Sequence, residues 1–298
     1  WVPKVYLANT TLSLTQQGAM ISGKTLNLSA DSIDNAGNLL AEKGLEVDAK
    51  QFMHRDGDIK ADTINIQADS LTLSTNLQDA LRQATMSATD ITLSGHDVQL
   101  QGAKLDATGD IKLNARDNLS ITAVKSTHTG SIDVIAGAMG ERGNEGLDAT
   151  GGLAHISGEW QLAQSSELSA GGNLSLNAGK DITVKGSQAQ ADGSLDVNAG
   201  GDINILSDKT TNKSQLDAQG NGSSVSNARE EDSLILSTLS GDKGVSLSAG
   251  NNLVAEGAQV DSQAGKISVS AQDVTITAAT QDTHALDQEQ TRNGSSKG

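Results

Sequence analysis

The sequence predicts an all-β chain: a right-handed parallel β-helix, or solenoid, with loop or hairpin excursions leaving from one corner. Three observations predict it. A short unit, apolar-x-apolar-x-small-x-x-x-apolar-x-apolar, recurs about every 20 residues. A longer unit of two such coils also recurs. Ile91, Leu93, Val98, Leu100 and Leu105 reappear as Leu174, Leu176, Ile182, Val184 and Ala189, shifted by 83 to 84 positions. Leu174, Leu176, Ile182 and Val184 reappear in turn as Val245, Leu247, Leu253 and Ala255, a shift of 71 in which Ala255 is the weak match. Third, Gly, Asn and Asp separate the alternating runs, as tight corners require. A strand-length unit repeated in this way marks a stack of coils.

Composition agrees. The 298 residues include only four aromatics, Trp1, Tyr6, Phe52 and Trp160, but 32 glycines. A globular core of this size would bury more rings; a narrow core of stacked aliphatic side chains needs few. The net charge of −16 argues against nucleic acid, which needs a Lys/Arg patch, and against an electrostatic membrane anchor. It keeps a long rod soluble. There is no Cys, hence no disulfide or thiolate site. No run of about 18 apolar residues occurs. The chain opens at Trp1 without a signal peptide and reads as a fragment of a longer polypeptide.

Residues 1–17 are the least repeat-like and read as a linker or lead-in segment. Coils occupy 18–123. Their first strands are Leu26-Asn-Leu28-Ser-Ala30, Leu45-Glu-Val47-Asp-Ala49 and Ile64-Asn-Ile66-Gln-Ala68, spaced by 19 and 19. Ile91 follows after 27, so 74–88 contains a loop, in which Leu77, Ala80 and Leu81 could make a short helical turn. Ile111 comes 20 after Ile91. Each alternating run is a half-buried strand, and each coil holds three. The first is Leu-x-Leu-x-Ala; the second resembles Ile182-Thr-Val184; the third is the Gly102-Ala103-Lys-Leu105 type.

Residues 124–160 form a first excursion, 161–207 further coils, 208–232 a second excursion, 233–278 the last coils, and 279–298 the start of a third excursion. All three leave after a second strand. They begin alike, with Lys125-Ser-Thr-His128, Lys209-Thr-Thr-Asn212 and Gln281-Asp-Thr-His284. They therefore stack on one side, where repeat proteins often carry function; protruding hairpins, mobile loops and inert spacers all remain open. The structural core is assigned to Leu174, Leu176, Ala178, Ile182, Val184, Leu195, Val197, Ala199, Ile203, Ile205, Val245, Leu247, Ile267 and Val269.

No residue set supports an enzyme: no catalytic, cofactor-binding or metal residues are assigned. His54, His96, His128, His155 and His284 form no His-Glu-x-x-His pair. His128 and His284 share a Thr-His context, read either as a repeated binding position or as exposed loop residues. A calcium β-roll needs Gly-Gly-x-Gly-x-Asp every nine residues; only Gly200-Gly-Asp202 occurs. Asp97, Asp110, Asp181 and Asp202 read as turn formers. Polysaccharide hydrolases need paired carboxylates in a groove, whereas the acids here are scattered. Asn114, Asn177 and Asn198 hold one recurring place and could form a hydrogen-bonded ladder.

The strings LSLNAGKDITVKGSQAQADGSLDVNAGGDINI and VSLSAGNNLVAEGAQVDSQAGKISVSAQDVTI resemble the hemagglutinin repeats of two-partner-secreted exoproteins. These include filamentous hemagglutinin and the contact-dependent growth inhibition effectors. The resemblance covers about 18–278, and the Thr-rich excursions resemble the effectors' later repeat region. It implies a secreted or bacterial cell-surface filament with an outer-membrane secretion partner. It also implies contact with a target-cell surface or outer membrane and, in the parent chain, a covalently linked toxin domain. The leading expectation is therefore a structural segment aiding delivery of a C-terminal toxin into a neighbouring bacterium. The alternative is an adhesin shaft that binds host or bacterial surfaces through its excursions. No site residue transfers from the family.

Overall fold

The computed structural model describes residues 19–77, 83–135, 153–220 and 223–291. The lead-in segment 1–17 and the proposed helical turn at Ala80 and Leu81 lie outside them. The described residues form strands with no helix. Nine coils stack, each built as a third-, a first- and a second-face strand. Coil one is β1 (Met20–Asn35) and coil two is β2 (Asn38–Arg55), each a single strand bent around the corners. Coil three is β3 (Gly57–Lys60) and β4 (Thr63–Ser74); coil four is β5 (Ala84–Ala88) and β6 (Asp90–Gln101). Coil five separates into β7 (Lys104–Ala107), β8 (Ile111–Ala115) and β9 (Leu119–Thr122). The hairpin strands β10 (Val124–Ile135) and β11 (Leu153–Gln164) follow.

Coil six is β12 (Glu167–Ala170), β13 (Leu174–Ala178) and β14 (Ile182–Lys185). Coil seven is β15 (Gln188–Ala191), β16 (Ser194–Ala199) and β17 (Ile203–Leu206). A second hairpin, β18 (Asp208–Gly220) and β19 (Ser223–Ile235), precedes coil eight: β20 (Ser237–Gly241), β21 (Gly244–Ala249) and β22 (Asn252–Glu256). Coil nine is β23 (Ala258–Asp261), β24 (Lys266–Ser270) and β25 (Asp273–Thr277), and β26 (Thr283–Thr291) closes the described chain.

All coil strands belong to one 21-stranded parallel sheet wound on itself. Register is strict: Ile111, Leu174, Leu195, Val245 and Ile267 form one column, and Ala115, Ala178, Ala199 and Ala249 another. Eight steps at about 4.8 Å make the rod about 38 Å long. The inward positions are apolar because alternate residues of a strand face the same side. Of the assigned core, Leu174, Leu176, Ile182, Val184, Leu195, Val197, Ile203 and Ile205 are fully buried, and Ala178, Ala199, Val245 and Leu247 are buried. Ile267 and Val269 are a correction: they are 42% and 47% exposed. They lie in the ninth coil, whose outer side no described strand covers. Part of the expected 74–88 loop is also a strand, since β5 continues the third face between β3 and β7.

Polar corner side chains join coil to coil. The carboxylates of Asp181 and Asp202 accept the backbone N–H groups of Asp202 and Asn252, at 2.8 and 2.9 Å. Asp110 accepts from Asn173 N–H at 2.8 Å, and Asp97 from Asn118 N–H at 3.2 Å. Asn198 donates to Asn177 and Asn177 to Asn114, at 3.3 and 3.0 Å, which is the amide ladder. The four carboxylate bonds satisfy backbone N–H groups at the turns.

His54 is fully buried in the second coil. Its Nε2 donates to Gly57 O at 3.1 Å, and its Nδ1 accepts from the Asn35 amide at 2.9 Å. Burial pushes its pKa below the ordinary histidine value, more than the neighbouring carbonyls can offset. The unfolded chain therefore binds this proton more readily. Stability should be full above about pH 6.5 and fall as the pH drops below it. In urea titrations between pH 7.5 and 5, His54→Asn should flatten that slope; an unchanged slope would refute the assignment. Leu176→Ala should cost about 3 kcal/mol through its cavity, read as a lowered denaturation midpoint.

Candidate functional site

The site is built at the corner between the second and third faces. From the second coil on, this corner alternates. After coils two, four, six and eight the chain turns directly to the next third-face strand. After coils five, seven and nine it leaves the rod; after coil three, residues 75–83 separate β4 from β5. The direct corners use left-handed backbone at Asp56 and Gly57, Gly102, Gly186 and Gly257, with φ of +57° and +87°, +63°, +57° and +55°. Gly186 shows a second reason for glycine. A Cβ there would lie 2.8 Å from Asp208 Cβ and 3.4 Å from Ala123 Cβ and Ile235 Cγ2. The bases of the excursions close over these corners, so the glycine supplies both the turn and the room.

The coil ladder runs on beneath the excursions. Ala123 N–H donates to Lys185 O, Gly186 N–H to Leu206 O, and Ser207 N–H to Glu256 O. At or just before the start of successive third-face strands, the buried hydroxyls of Ser166, Ser187 and Ser237 form a column. Ser166 Oγ donates to Thr122 O and accepts from Ala103 N–H. Ser187 and Ser237 Oγ accept from the N–H of Ser166 and Ser187. This column was missed in the sequence because a lone Ser beside a loop reads as solvated. The signal was its recurrence at or just before the start of successive third-face strands.

The excursions are strands of one five-stranded antiparallel sheet in the order β10-β11-β18-β19-β26. The first hairpin pairs from Val124↔Gln164 outward and the second from Asp208↔Ile235. Both returning strands run further than the expected ends at 160 and 232, because each hairpin stays paired down to the corner. Between the hairpins, β11 and β18 pair from Leu153↔Gln219 to Glu159↔Lys213. Nearer the rod, side chains take over: Asn212 accepts from Gln161 N–H and the Gln161 amide oxygen accepts from Thr211 N–H.

Two carboxylates hold the sheet's base. The Asp208 and Asp232 side chains are 7% and 6% exposed. Lys125 Nζ, from the first hairpin, lies 2.8 Å from Asp208, and Lys185 of coil six lies 3.6 Å away. Lys209 Nζ lies 2.6 Å from Asp232, which also accepts from Thr211 Oγ1 at 2.6 Å. Burial pushes the Asp208 carboxyl up. The hydrogen bonds from Lys125 and from Lys209 N–H, with the charges of Lys125 and Lys185, outweigh it and hold the carboxyl below its ordinary value. Hydrogen bonds from Lys209 and Thr211 do the same for Asp232. The recurring Lys125 and Lys209 of the excursion starts thus become ties at the base.

Beyond the base the sheet has two unlike faces. One carries the apolar row Ile132, Ile156 and Leu216, with Trp160 opposite His128. The two rings stack with centroids 6.1 Å apart at 19°. Trp160 lies over Gly130, where a Cβ would meet its ring at 3.2 Å. The other face carries the row Thr129, Glu159, Lys213, Glu230 and His284. It holds an open depression of about 760 Å³ edged by His155, Glu159, Lys213 and His284. His155 is tied to Asp133 at 2.6 Å. His128 and His284, alike in sequence context, therefore sit on opposite faces. Among the described residues no three His, Asp or Glu side chains could hold a metal ion.

A rod of stacked coils with a lateral sheet defines a repeat protein. A family model described as Hemagglutinin repeat matches residues 6–221, and the chain belongs to that family. No curated protein and no solved structure matches it. The family makes the chain a structural repeat segment of a secreted or cell-surface exoprotein, of a kind generally associated with two-partner secretion. The family match ends at 221, yet coils eight and nine continue the same register.

Three outcomes test the corner. Gly186→Ala should destabilise the rod by about 1–3 kcal/mol, through left-handed strain and the Asp208 contact. Asp208→Asn should make opening of the second hairpin easier by about 1–3 kcal/mol, since two lysines lose their partner. Both carboxyls bind protons less readily folded than unfolded. Their contribution is full above about pH 4 and is lost as the pH falls through the lower folded values. Amide exchange in β18 and β19, corrected for intrinsic rates, should therefore accelerate below about pH 4 before that of the coil strands.

Proposed function

We propose that this segment is a structural and translocation element of a contact-dependent toxin-delivery exoprotein, carried at the cell surface and linked in its parent chain to a toxin domain. The observation that supports it most is the side sheet. A passive shaft needs only coils; this rod gives three excursions to a second sheet held by buried ion pairs. Elements added at a fixed interval on one side of a solenoid are where such proteins place work beyond spacing. The outer-membrane secretion partner and the target-cell surface follow from the same reading.

An in-register deletion tests it. Removing 124–207 joins Ala123 to Asp208, taking out two coils and one hairpin while leaving a hairpin at the junction. Surface export should survive and killing of contacted neighbours should fall at least tenfold. Unchanged killing would make the segment a passive spacer.

A second reading, an adhesin shaft, is favoured by the exposed Trp160 and the open polar depression on the opposite face. It expects the purified chain to attach to cells and Trp160→Ala or removal of 208–235 to abolish attachment. Attachment that survives both would end it.

A further inference from the structure

We propose that the outer edge of β10 is a docking edge for an extended polypeptide segment of a partner, which adds antiparallel as a further strand of the side sheet. The proposal does not depend on the delivery reading.

β10 is paired with β11 along its whole length, from Val124↔Gln164 to Ile135↔Leu153. Among the described residues no strand pairs with its other edge. The alternation of the corner explains why. Coils five, seven and nine each send out strands; the remaining excursion, after coil three, would stand beside β10. There the chain has only residues 75–83 between β4 and β5. A strand as long as β10 extends about 40 Å, so this segment is too short for a matching hairpin. Among the described residues the repeat supplies no strand for the strip beside β10.

The edge also lacks the usual defences. Natural edges are blunted by proline, bulges, brevity or outward charge. β10 has 12 residues, no proline and an unbroken register. Of its two charges, Lys125 is drawn to the buried Asp208 at the base, and Asp133, paired with His155, is the third residue from the outer end with its carboxylate exposed, which leaves 126–132 between them. Ser126 to Ile132 carries no formal charge when His128 is neutral and is rich in Ser and Thr, residues that pair well across strands. By contrast β26, at the far side of the sheet, carries Asp287 and Glu289.

The chemistry of the occupant follows from the two faces. The apolar row reaches the edge at Ile132, which is 59% exposed. An added strand would cover it with alternate apolar side chains, and set hydroxyl or amide side chains beside Thr127, Thr129 and Ser131 on the other face. The chain's charge of −16 disfavours an acidic segment. A neutral or basic, Thr- and Val-type extended segment fits; main-chain bonds would supply affinity and the alternation specificity.

The probe is a fluorescent, end-blocked peptide with the sequence of residues 153–164 but Gln in place of Glu159, LAHISGQWQLAQ, which has this alternation, carries no acidic group and otherwise matches the strand that pairs with the inner edge. A scrambled peptide is the control, and the protein is the whole 298-residue chain. Alternate amides between 126 and 132 should exchange at least tenfold more slowly with the peptide bound. The double variant Thr129→Lys/Ser131→Lys, which adds edge charge without touching the β10–β11 ladder, should weaken binding at least tenfold. Equal binding of the scrambled peptide, or protection confined to other strands, would overturn the proposal. So would full protection of 126–132 in the free protein that disappears on removing residues 1–18, which would give the edge to the chain's own leading segment.

Discussion

Adjacent coils are joined by parallel ladder hydrogen bonds, and those bonds set the rise from one coil to the next at the strand spacing, about 4.8 Å. The side sheet obeys the same spacing, because its strands are joined by ladder bonds too. A hairpin adds two strands, so it advances by two spacings, and two coils also advance by two. The excursions can form one continuous sheet only if they leave at every second coil, as they do from β9, β17 and β25. The long repeat of 83 to 84 positions in the sequence is this equality written in residues. The glycine corners, the serine column and the buried ion pairs all serve the join between the two lattices.

That join is where polar groups are buried. The direct corners stay tight because Gly102, Gly186 and Gly257 adopt left-handed backbone. At the excursion corners the Ser166 and Ser237 hydroxyls add a second hydrogen bond to the Thr122 and Leu206 carbonyls, which already accept from Gly102 and Gly186 N–H. At the excursion bases the cost of burying Asp208 and Asp232 is offset by Lys125, Lys185 and Lys209. An open sheet could tilt freely about one corner; cross-ties between its hairpins restrict it.

The rod was legible in the sequence and the sheet was not. Leu174, Leu176 and Ala178 repeat with a fixed period, so a column of inward side chains can be read directly. Strand pairing in the side sheet has no such period: β10 and β11 are separated by residues 136–152, and Lys125 meets Asp208 across 83 positions. The recurring Lys-Ser/Thr-Thr starts were visible, but their carboxylate partners fall at different offsets. Ile267 and Val269 read like every other core pair, since periodicity reports which way a side chain points and not whether another layer covers it.

The pairing of β11 with β18 has a consequence for how the chain assembles. Each hairpin is the template for the next, and each template is complete only when two more coils have wound beneath it. A chain emerging from one end would therefore advance in strokes rather than smoothly. After each stroke one unsatisfied edge waits for the following hairpin and, once covered, resists slipping backward. With no cysteine anywhere in the sequence to lock a stage covalently, each stage would be held by the hydrogen bonds between one hairpin and the next.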